Sequence, residues 1–463
     1  MNQTENKTKL TLINKVGYAF GEAGSSCSWA MISSYLTVFY TDVVGLTPVV
    51  ISTIMLIARI WDAVNDPMFG SIAENRDFKF GRYRSWILIG LPFLVLFSCL
   101  TFLNLDLPNT WKSIWCAFTY IVCGMAYTVV NLSTGALANT MTADPQERTT
   151  LTSFRGAFST IVGLILNAVT MPVVLYYGNG STSSAKGYFM AAVVFAVISV
   201  PCFLICVFTT KETIIVREKK EKKKENIFRD MAKSFKVAFA DKNTRFLILG
   251  IIANMLALYG RQGITAYYFI YVLDNPMAMS TAMPAMLLGM FLTNFYTPFV
   301  LKKINKKTAG VLAAIANALS LVGLFWVGQI GSSTGAIIFS FLNGVTNMSY
   351  VVQFSLAGDI IDDNWIRTGK RTEGITYSVI SFATKLGNAV GGSIGILVLS
   401  AVGYVANTQM SARVLTKVNG VINLAPIVFL ILTAIFYGKV DMDNKKAMDN
   451  KIKVQEMLEN TGE

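Results

Sequence analysis

Histidine is absent from this chain of 463 residues, which removes a serine–histidine–acid nucleophile and any histidine-ligated zinc hydrolase. Six cysteines remain, at positions 27, 99, 116, 123, 202 and 206, all inside apolar stretches. Cys202 and Cys206 share a helix face, but no other soft ligand accompanies them, so the sequence predicts neither a disulfide nor a metal cage. Charge is scarce as well. Asp, Glu, Lys and Arg together make up 14% of the chain against 53% hydrophobic residues, and the mean hydropathy is +0.50. That balance describes a membrane protein and leaves no soluble catalytic domain, so no enzyme activity and no cofactor are expected.

What is present is a succession of apolar runs. Segments at 16–40, 49–72, 85–104, 113–140, 155–178 and 187–210 are each long enough to cross a bilayer, and a second set follows at 246–272, 279–301, 308–329, 335–358, 374–403 and 418–438. The expected fold is an all-α membrane protein of twelve transmembrane helices in two six-helix halves. Its parts are a cytoplasmic N-terminus (1–15), a first half (16–210), a basic connector (211–245), a second half (246–438) and a tail (439–463). The connector holds Lys219, Lys220, Lys222, Lys223 and Lys224 and cannot enter lipid. The first apolar run is too long for a signal-peptide core, so no cleaved leader is expected. In the tail, Met448, Ile452 and Met457 stand at roughly helical spacing, which predicts a short surface helix.

The formal net charge of +13 does not indicate nucleic acid, because the basic residues alternate by loop. Lys7, Lys9 and Lys15, then Arg76, Lys79, Arg82 and Arg84, the connector, Lys302, Lys303, Lys306 and Lys307, and Arg367, Lys370 and Arg371 fall on one side. The other side holds little beyond Lys112, Lys186, Arg413 and Lys417. By the positive-inside rule both termini are cytoplasmic, in the inner (plasma) membrane.

Against this background the string Arg59-Ile-Trp-Asp62-Ala-Val-Asn65-Asp66-Pro67 stands out. Residues 59, 62 and 66 fall on one helix face. A carboxylate at mid-bilayer costs about 2.5–3.5 kcal/mol on insertion scales, so two of them call for a partner, a proton or a cation. Arg59 neutralises only one. The surplus negative charge predicts a cation site at Asp62 and Asp66, with the carbonyl of Ala63, freed by Pro67, as an additional ligand. Lys385 is the only basic residue inside its apolar segment and lies about 18 Å along the helix from its cytoplasmic end. The span-two acids are its expected counter-charge, and Arg59 and Lys385 would couple cation entry to the rest of the molecule.

Other polar side chains suit a sugar. Glu22, Ser26 and Trp29 share one face of the first span, where a carboxylate can accept two hydroxyls while an indole covers the apolar face of a pyranose; lipid or core packing is the alternative for Trp29. In span four, Tyr127, Thr128 and Asn131 either line the same cavity or bond neighbouring helices. Arg155 near the start of span five is a further candidate. Arg261 in span seven would meet a sugar hydroxyl or carboxylate, or else a structural ion pair. Arg76, Arg82 and Arg84 after span two, together with Arg371, and Asp359, Asp362 and Asp363 after span ten are expected to form an inner ion-pair latch.

Across nearly its whole length the chain resembles the glycoside-pentoside-hexuronide:cation symporter family of the major facilitator superfamily. The resemblance is carried by Tyr40-Thr41-Asp42-Val43-Val44-Gly45-Leu46, by Arg59 to Pro67, by Gly81-Arg82-Tyr83-Arg84 and by Gly369-Lys370-Arg371-Thr372-Glu373-Gly374. It implies that Asp62 and Asp66 bind the coupling cation (sodium, or a proton or lithium) with Asn65 and Thr128 beside them. It also implies that Lys385 lies between the cation and sugar sites and that Arg155 lines the cavity. Ser26 and Asn131 stand where the best-known member has sugar-contacting acids, and Gly135 stands in place of a tryptophan. The expected function is therefore a monomeric secondary symporter that moves a glycoside, pentoside or hexuronide by alternating access. A lipid, amphiphile or drug carrier on the same scaffold is the alternative.

Overall fold

The computed structural model describes residues 10–74, 76, 78–142, 144–213, 239–369 and 373–461. The chain divides into two compact units, Met1–Lys219 and Lys220–Glu463. In the first, α1 (Leu12–Val38) is prolonged by a π-helical turn, Phe39–Val43, and is followed by α2 (Pro48–Glu74), α3 (Arg82–Thr101), α4 (Asn109–Met141), α5 (Pro145–Tyr177) and α6 (Ala185–Thr209). In the second, α7 (Lys242–Gln262) leads through a π-helical turn, Tyr268–Val272, to α8 (Met279–Lys303) and α9 (Lys306–Gln329). Then come α10 (Ser333–Val345), α11 (Ser349–Thr368), α12 (Glu373–Ala401), α13 (Ala412–Asn423), α14 (Ala425–Gly438) and α15 (Asn444–Thr461).

Among the described residues ten helical segments are long and apolar enough to cross a membrane, and Ser333–Val345 is a shorter apolar one. With α1, whose 27 residues carry Lys15, Glu22 and several serines, they make six spanning segments in each half, as expected. The helix starts follow local chemistry. Thr11 and Asn14 form a capping box at α1, the Asp144 carboxylate accepts from Gln146 N at 2.9 Å ahead of Pro145, and Ser184, Ser332 and Ser411 cap α6, α10 and α13.

Without a hydrophobic drive between helices in lipid, close packing depends on small residues. On α1 a Cβ at Gly17 would stand 1.7 Å from Thr209 Oγ1, and one at Gly24 would stand 2.8 Å from the Phe203 ring, so α6 lies directly on bare backbone. In the second unit α7 and α12 approach as closely: a Cβ at Gly395 would stand 2.4 Å from the carbonyl oxygen of Gly260.

Three expectations need correction. Span ten is not one helix, because it breaks between Val345 and Ser349. Here side chains replace helical hydrogen bonds: Asn317 Nδ2 donates to Asn343 O at 3.0 Å and to Thr346 Oγ1 at 3.2 Å, and the Tyr296 hydroxyl donates to Val345 O. Secondly, Asp359, Asp362 and Asp363, expected after the end of span ten, lie within α11, which runs on to Thr368. Thirdly, the connector is not wholly solvated at its edges. The Glu212 carboxylate accepts from Arg82 N, Tyr83 N and Arg84 N at 2.9–3.0 Å, filling the open amides at the start of α3. Thr213 N donates to Thr140 O at 2.9 Å. At the other edge α7 begins at Lys242, four residues before the expected boundary. The basic run 219–224 lies outside the described residues.

One end of the second unit is tied by ion pairs. Asp241 caps α7 by accepting from Thr244 N and Thr244 Oγ1, each at 2.7 Å, and it pairs with Arg367. Burial pushes the Asp241 carboxyl up, but these hydrogen bonds and the guanidinium outweigh it and hold the pKa below the ordinary carboxylate value. The tail forms α15, which docks by its polar side. Lys446 Nζ lies 3.2 Å from Asp363 Oδ1 and Asn450 Nδ2 donates to the same oxygen at 3.1 Å, while Met448 and Ile452 stay exposed.

Candidate functional site

The polar side chains singled out in the first half converge on one turn of α4. Helical spacing points Tyr127, Thr128 and Asn131 toward different neighbours, and each has its partner. Thr128 Oγ1 donates to Asp66 Oδ1 on α2 at 3.0 Å. The Tyr127 ring lies 4.4 Å, centroid to centroid, from Trp29 on α1 at 31°. Asn131 Oδ1 accepts from Arg155 Nη2 on α5 at 3.2 Å.

On the α2 side, Asp62 and Asp66 are half-buried and Asn65 is buried. A Cβ at Gly124 would stand 3.2 Å from Asp62 Oδ1, so that carboxylate packs against α4 where a side chain is missing. The Asn65 amide nitrogen is buried without a hydrogen-bond partner. Arg59 lies 5.9 Å from the Trp29 ring centroid, within cation–π range. Tyr120, fully buried in α4, interacts electrostatically with both Arg59 and Asp62. The structure therefore brings together Asp62, Asp66, Thr128 and Arg59, and adds Tyr120. α2 runs on through position 67 to Glu74.

On the α1 side the sequence reading changes. Glu22 does not offer a lone carboxylate, because its Oε2 accepts from Arg155 Nε at 2.5 Å. The pair is partly sheltered, with side chains 17% and 27% exposed, and two opposite charges left in an apolar bundle pair for that reason. Tyr18, also unanticipated, lies beside Arg155 and interacts with it electrostatically. Tyr127 sits in the field of Glu22, Arg155 and Arg59. A Cβ at Gly135 would stand 3.2 Å from Arg155 Nη1, so the guanidinium fills the space beside that glycine. Ser26 lies on α1 between Glu22 and Trp29, partly exposed. The arrangement is a polar cage of Glu22, Arg155, Asn131 and Tyr18 with an aromatic wall of Trp29 and Tyr127. Such a cage presents donors and acceptors in fixed directions beside an apolar plane, the chemistry that sugar hydroxyls and ring C–H groups require.

In the second unit, Lys385 is exposed on α12. Arg261 is buried, and its Nε donates to Asn423 Oδ1 at 3.3 Å. Two of the acids expected in the latch have partners within their own unit: Lys306 Nζ lies 2.6 Å from Asp359 Oδ1, and Lys446 reaches Asp363. On the other side, Arg84 Nε donates to Val207 O at 2.8 Å within the first unit, and Arg76 is exposed. Arg371 lies outside the described residues.

Comparison with known proteins places these features in a family. A model described as MFS/sugar transport protein matches residues 17–444. The isoprimeverose transporter of Lactiplantibacillus pentosus is 32% identical, with 94% of this chain and 90% of that one covered. The inner membrane symporter YicJ of Escherichia coli (strain K12) is 29% identical, covering 92% and 91%. Among solved structures, a mutant of the nucleoside transporter NupG superposes with a TM-score of 0.66 over 93% of this chain and all of that one, at 12% identity, a likeness of fold. The chain belongs to the MFS/sugar transport protein family, a family of membrane transporters and not of enzymes.

Proposed function

We propose that the protein is a symporter of the plasma membrane that couples inward movement of one kind of small cation, sodium or a proton (with lithium as a substitute), to uptake of a sugar by alternating access. The observation that carries this reading is the pair of polar clusters joined through one turn of α4. Asp66 is bonded to Thr128, and Asn131, three residues on, is bonded to Arg155 of the Glu22 pair.

Asp62 and Asp66 hold the cation, with Thr128 and Asn65 beside it. Hard monovalent cations favour carboxylate, hydroxyl and amide oxygen, and these residues supply all three. The sugar is taken by the cage of Glu22, Arg155 and Asn131 against Trp29 and Tyr127, with Ser26 on the same face. Cation arrival at Asp66 competes for the oxygen that Thr128 now bonds. The resulting shift is shared by Tyr127 and Asn131 because all three project from one helical turn. Arg59, beside Trp29, ties the same event to α1, and Lys385 is assigned the coupling role of the second half on grounds of charge. The central basic connector and the alternating basic loops support cytoplasmic termini. The names of the relatives, an isoprimeverose transporter and an inner membrane symporter, support a glycoside or pentoside as cargo and a coupled ion. The protein acts as a monomer and needs no cofactor beyond the coupling cation.

The energetics suffice. A membrane potential of about 100 mV supplies roughly 2.3 kcal/mol per charge, and a tenfold ion gradient adds about 1.4 kcal/mol. Together they sustain accumulation on the order of a few hundredfold. The test is uptake into reconstituted vesicles, with panels of glycosides, pentosides and uronides under imposed sodium, lithium or proton gradients. Gradient-dependent accumulation of at least one sugar class is expected, and equilibration without accumulation under every gradient would refute symport.

A further inference from the structure

Among the described residues, Arg261 is a charge without a counter-charge. It lies in the last turn of α7, 6% exposed, and its Nη2 is buried with no hydrogen-bond partner. Among the described residues its side chain makes one hydrogen bond, from Nε to Asn423 Oδ1 at 3.3 Å, which is long and goes to a neutral amide. The other described group that acts on it electrostatically is the Tyr268 phenol, whose hydroxyl proton is committed to Leu324 O at 2.7 Å. A guanidinium withdrawn from water is costly unless an anion joins it, and no described carboxylate does so.

The surroundings are organised around that guanidinium. Asn423 and Asn419 are both fully buried. Asn423 Nδ2 donates to Asn419 Oδ1 at 2.8 Å, and Asn419 Nδ2 donates to Phe325 O at 2.9 Å. This relay fixes both amide orientations and holds the Asn423 oxygen on Nε, so Arg261 cannot swing toward a carbonyl elsewhere without breaking it. Gly328 makes room, since a Cβ there would stand 2.7 Å from Asn419 Nδ2 and 2.8 Å from the Tyr268 ring. A relay of three side chains that leaves the charged end unsatisfied is the expected form of a site whose missing member is a ligand.

We propose that Arg261 anchors an anion site in the second unit, built to take a singly charged group, a carboxylate carried by an acidic sugar or a free monoanion such as chloride. This deepens the symport reading by naming the charge of a group that the second half recognises. A planar guanidinium with free N–H donors matches a carboxylate best, because the two form paired, charge-assisted hydrogen bonds.

The test uses the full chain purified in detergent, so that it does not depend on transport. Tris glucuronate, neutral methyl glucoside and Tris chloride are titrated by calorimetry into wild type, Arg261→Gln and Asn423→Asp. If the anion belongs to the sugar, wild type prefers glucuronate to the glucoside and Arg261→Gln abolishes that preference, a loss of about tenfold to a hundredfold. If the anion is inorganic, chloride binds to wild type and not to Arg261→Gln. Asn423→Asp supplies an internal carboxylate to Nε and should remove anion binding in either case while raising the melting temperature, which keeps the test open should Arg261→Gln fail to fold. Wild type that binds neither anion preferentially, or Asn423→Asp that retains full anion binding, overturns the proposal. Failure of the symport reading has a different signature: anion binding intact in detergent, with no gradient-driven uptake in vesicles.

Discussion

Replacing Glu22 with glutamine tests the cage most directly, because the change removes a charge and keeps the shape. In the native protein Arg155 Nε and Glu22 Oε2 are 2.5 Å apart, with side chains 27% and 17% exposed. An exposed ion pair contributes about 0–1 kcal/mol, whereas breaking a fully buried one costs about 3–5 kcal/mol; this pair lies between those limits. Glutamine retains an oxygen that accepts from Nε, and Arg155 also keeps Asn131 Oδ1 at 3.2 Å, so the loss is the charge-assisted part of one bond, about 1–2 kcal/mol. If the sugar is held by the intact pair, its affinity falls about 5- to 30-fold. Cation affinity measured without sugar stays within about twofold, since the change leaves the Thr128–Asp66 bond and the other contacts of the cation site in place. Sugar binding can be followed by the change in tryptophan fluorescence that Trp29, tilted against Tyr127 at 4.4 Å, contributes, with a Trp29→Phe variant as the control, and cation binding by calorimetry. The cycle is completed with Arg155→Gln and the double variant, which should lose little more than either single change because the two residues act as a unit. Unchanged sugar affinity in Glu22→Gln, or strict additivity in the cycle, would refute the assignment.

Asp62→Cys and Asp66→Asn should each abolish cation-stimulated accumulation while the protein still inserts into the membrane; vesicle uptake that retains its sodium or proton dependence removes these acids from the site. Lys385→Ala should uncouple or stop transport, measured as sugar accumulation against facilitated equilibration, and native accumulation would reduce Lys385 to packing. Two glycines of α4 offer a paired dissociation: a Cβ at Gly124 meets Asp62 Oδ1 and one at Gly135 meets Arg155 Nη1, each at 3.2 Å. Gly124→Ala should therefore weaken cation and spare sugar binding, and Gly135→Ala should do the reverse, both without loss of helix stability because alanine is favoured there by about 0.5–1 kcal/mol; titrations in which the two variants behave alike would sink the separation of the sites. Finally, the pKa of Asp241 is depressed in the folded state, so its contribution to stability is complete above the unfolded carboxylate value and is lost as pH falls through the lower folded value. Thermal unfolding of Asp241→Asn should thus differ from wild type at neutral pH and converge with it in strong acid, and a difference that persists in acid would contradict this.

Hydropathy made the spans legible because each apolar helix reports its own burial in lipid, and the cost of charge at mid-bilayer singled out Asp62 and Asp66 without a fold. Less visible was anything that depends on which helices touch. Glu22 and Arg155 lie 133 positions apart, and each read as a separate sugar ligand until α1 and α5 were seen to meet. Glu212 looked like one more charge in a solvated connector, whereas it closes the start of α3. The break in span ten escaped notice because its substitutes for helical bonds come from Tyr296 and Asn317 on two other helices. The latch acids were read as facing the opposite half because their bases, Lys306 and Lys446, are distant in sequence.

The position of Thr128 explains why one helix can serve both sites. The Thr128 hydroxyl donates its one proton to Asp66 and keeps two lone pairs, so its oxygen is able to face a cation held by that carboxylate while the bond persists. Tyr127 and Asn131 cannot remain indifferent: they share the backbone of that turn, and their partners, Trp29 and Arg155, sit on α1 and α5. A displacement of a few tenths of an ångström at Thr128 reaches the Glu22–Arg155 pair through Asn131 and the aromatic wall through Tyr127, with no longer path required. Arg59 closes the circuit from the other side, facing Trp29 on α1 while sharing α2 with both aspartates. On the proposed symport reading, coupling between cation and sugar in this half would therefore be a property of one turn with three partners, and its strength would follow from the stiffness of α4 more than from any single contact.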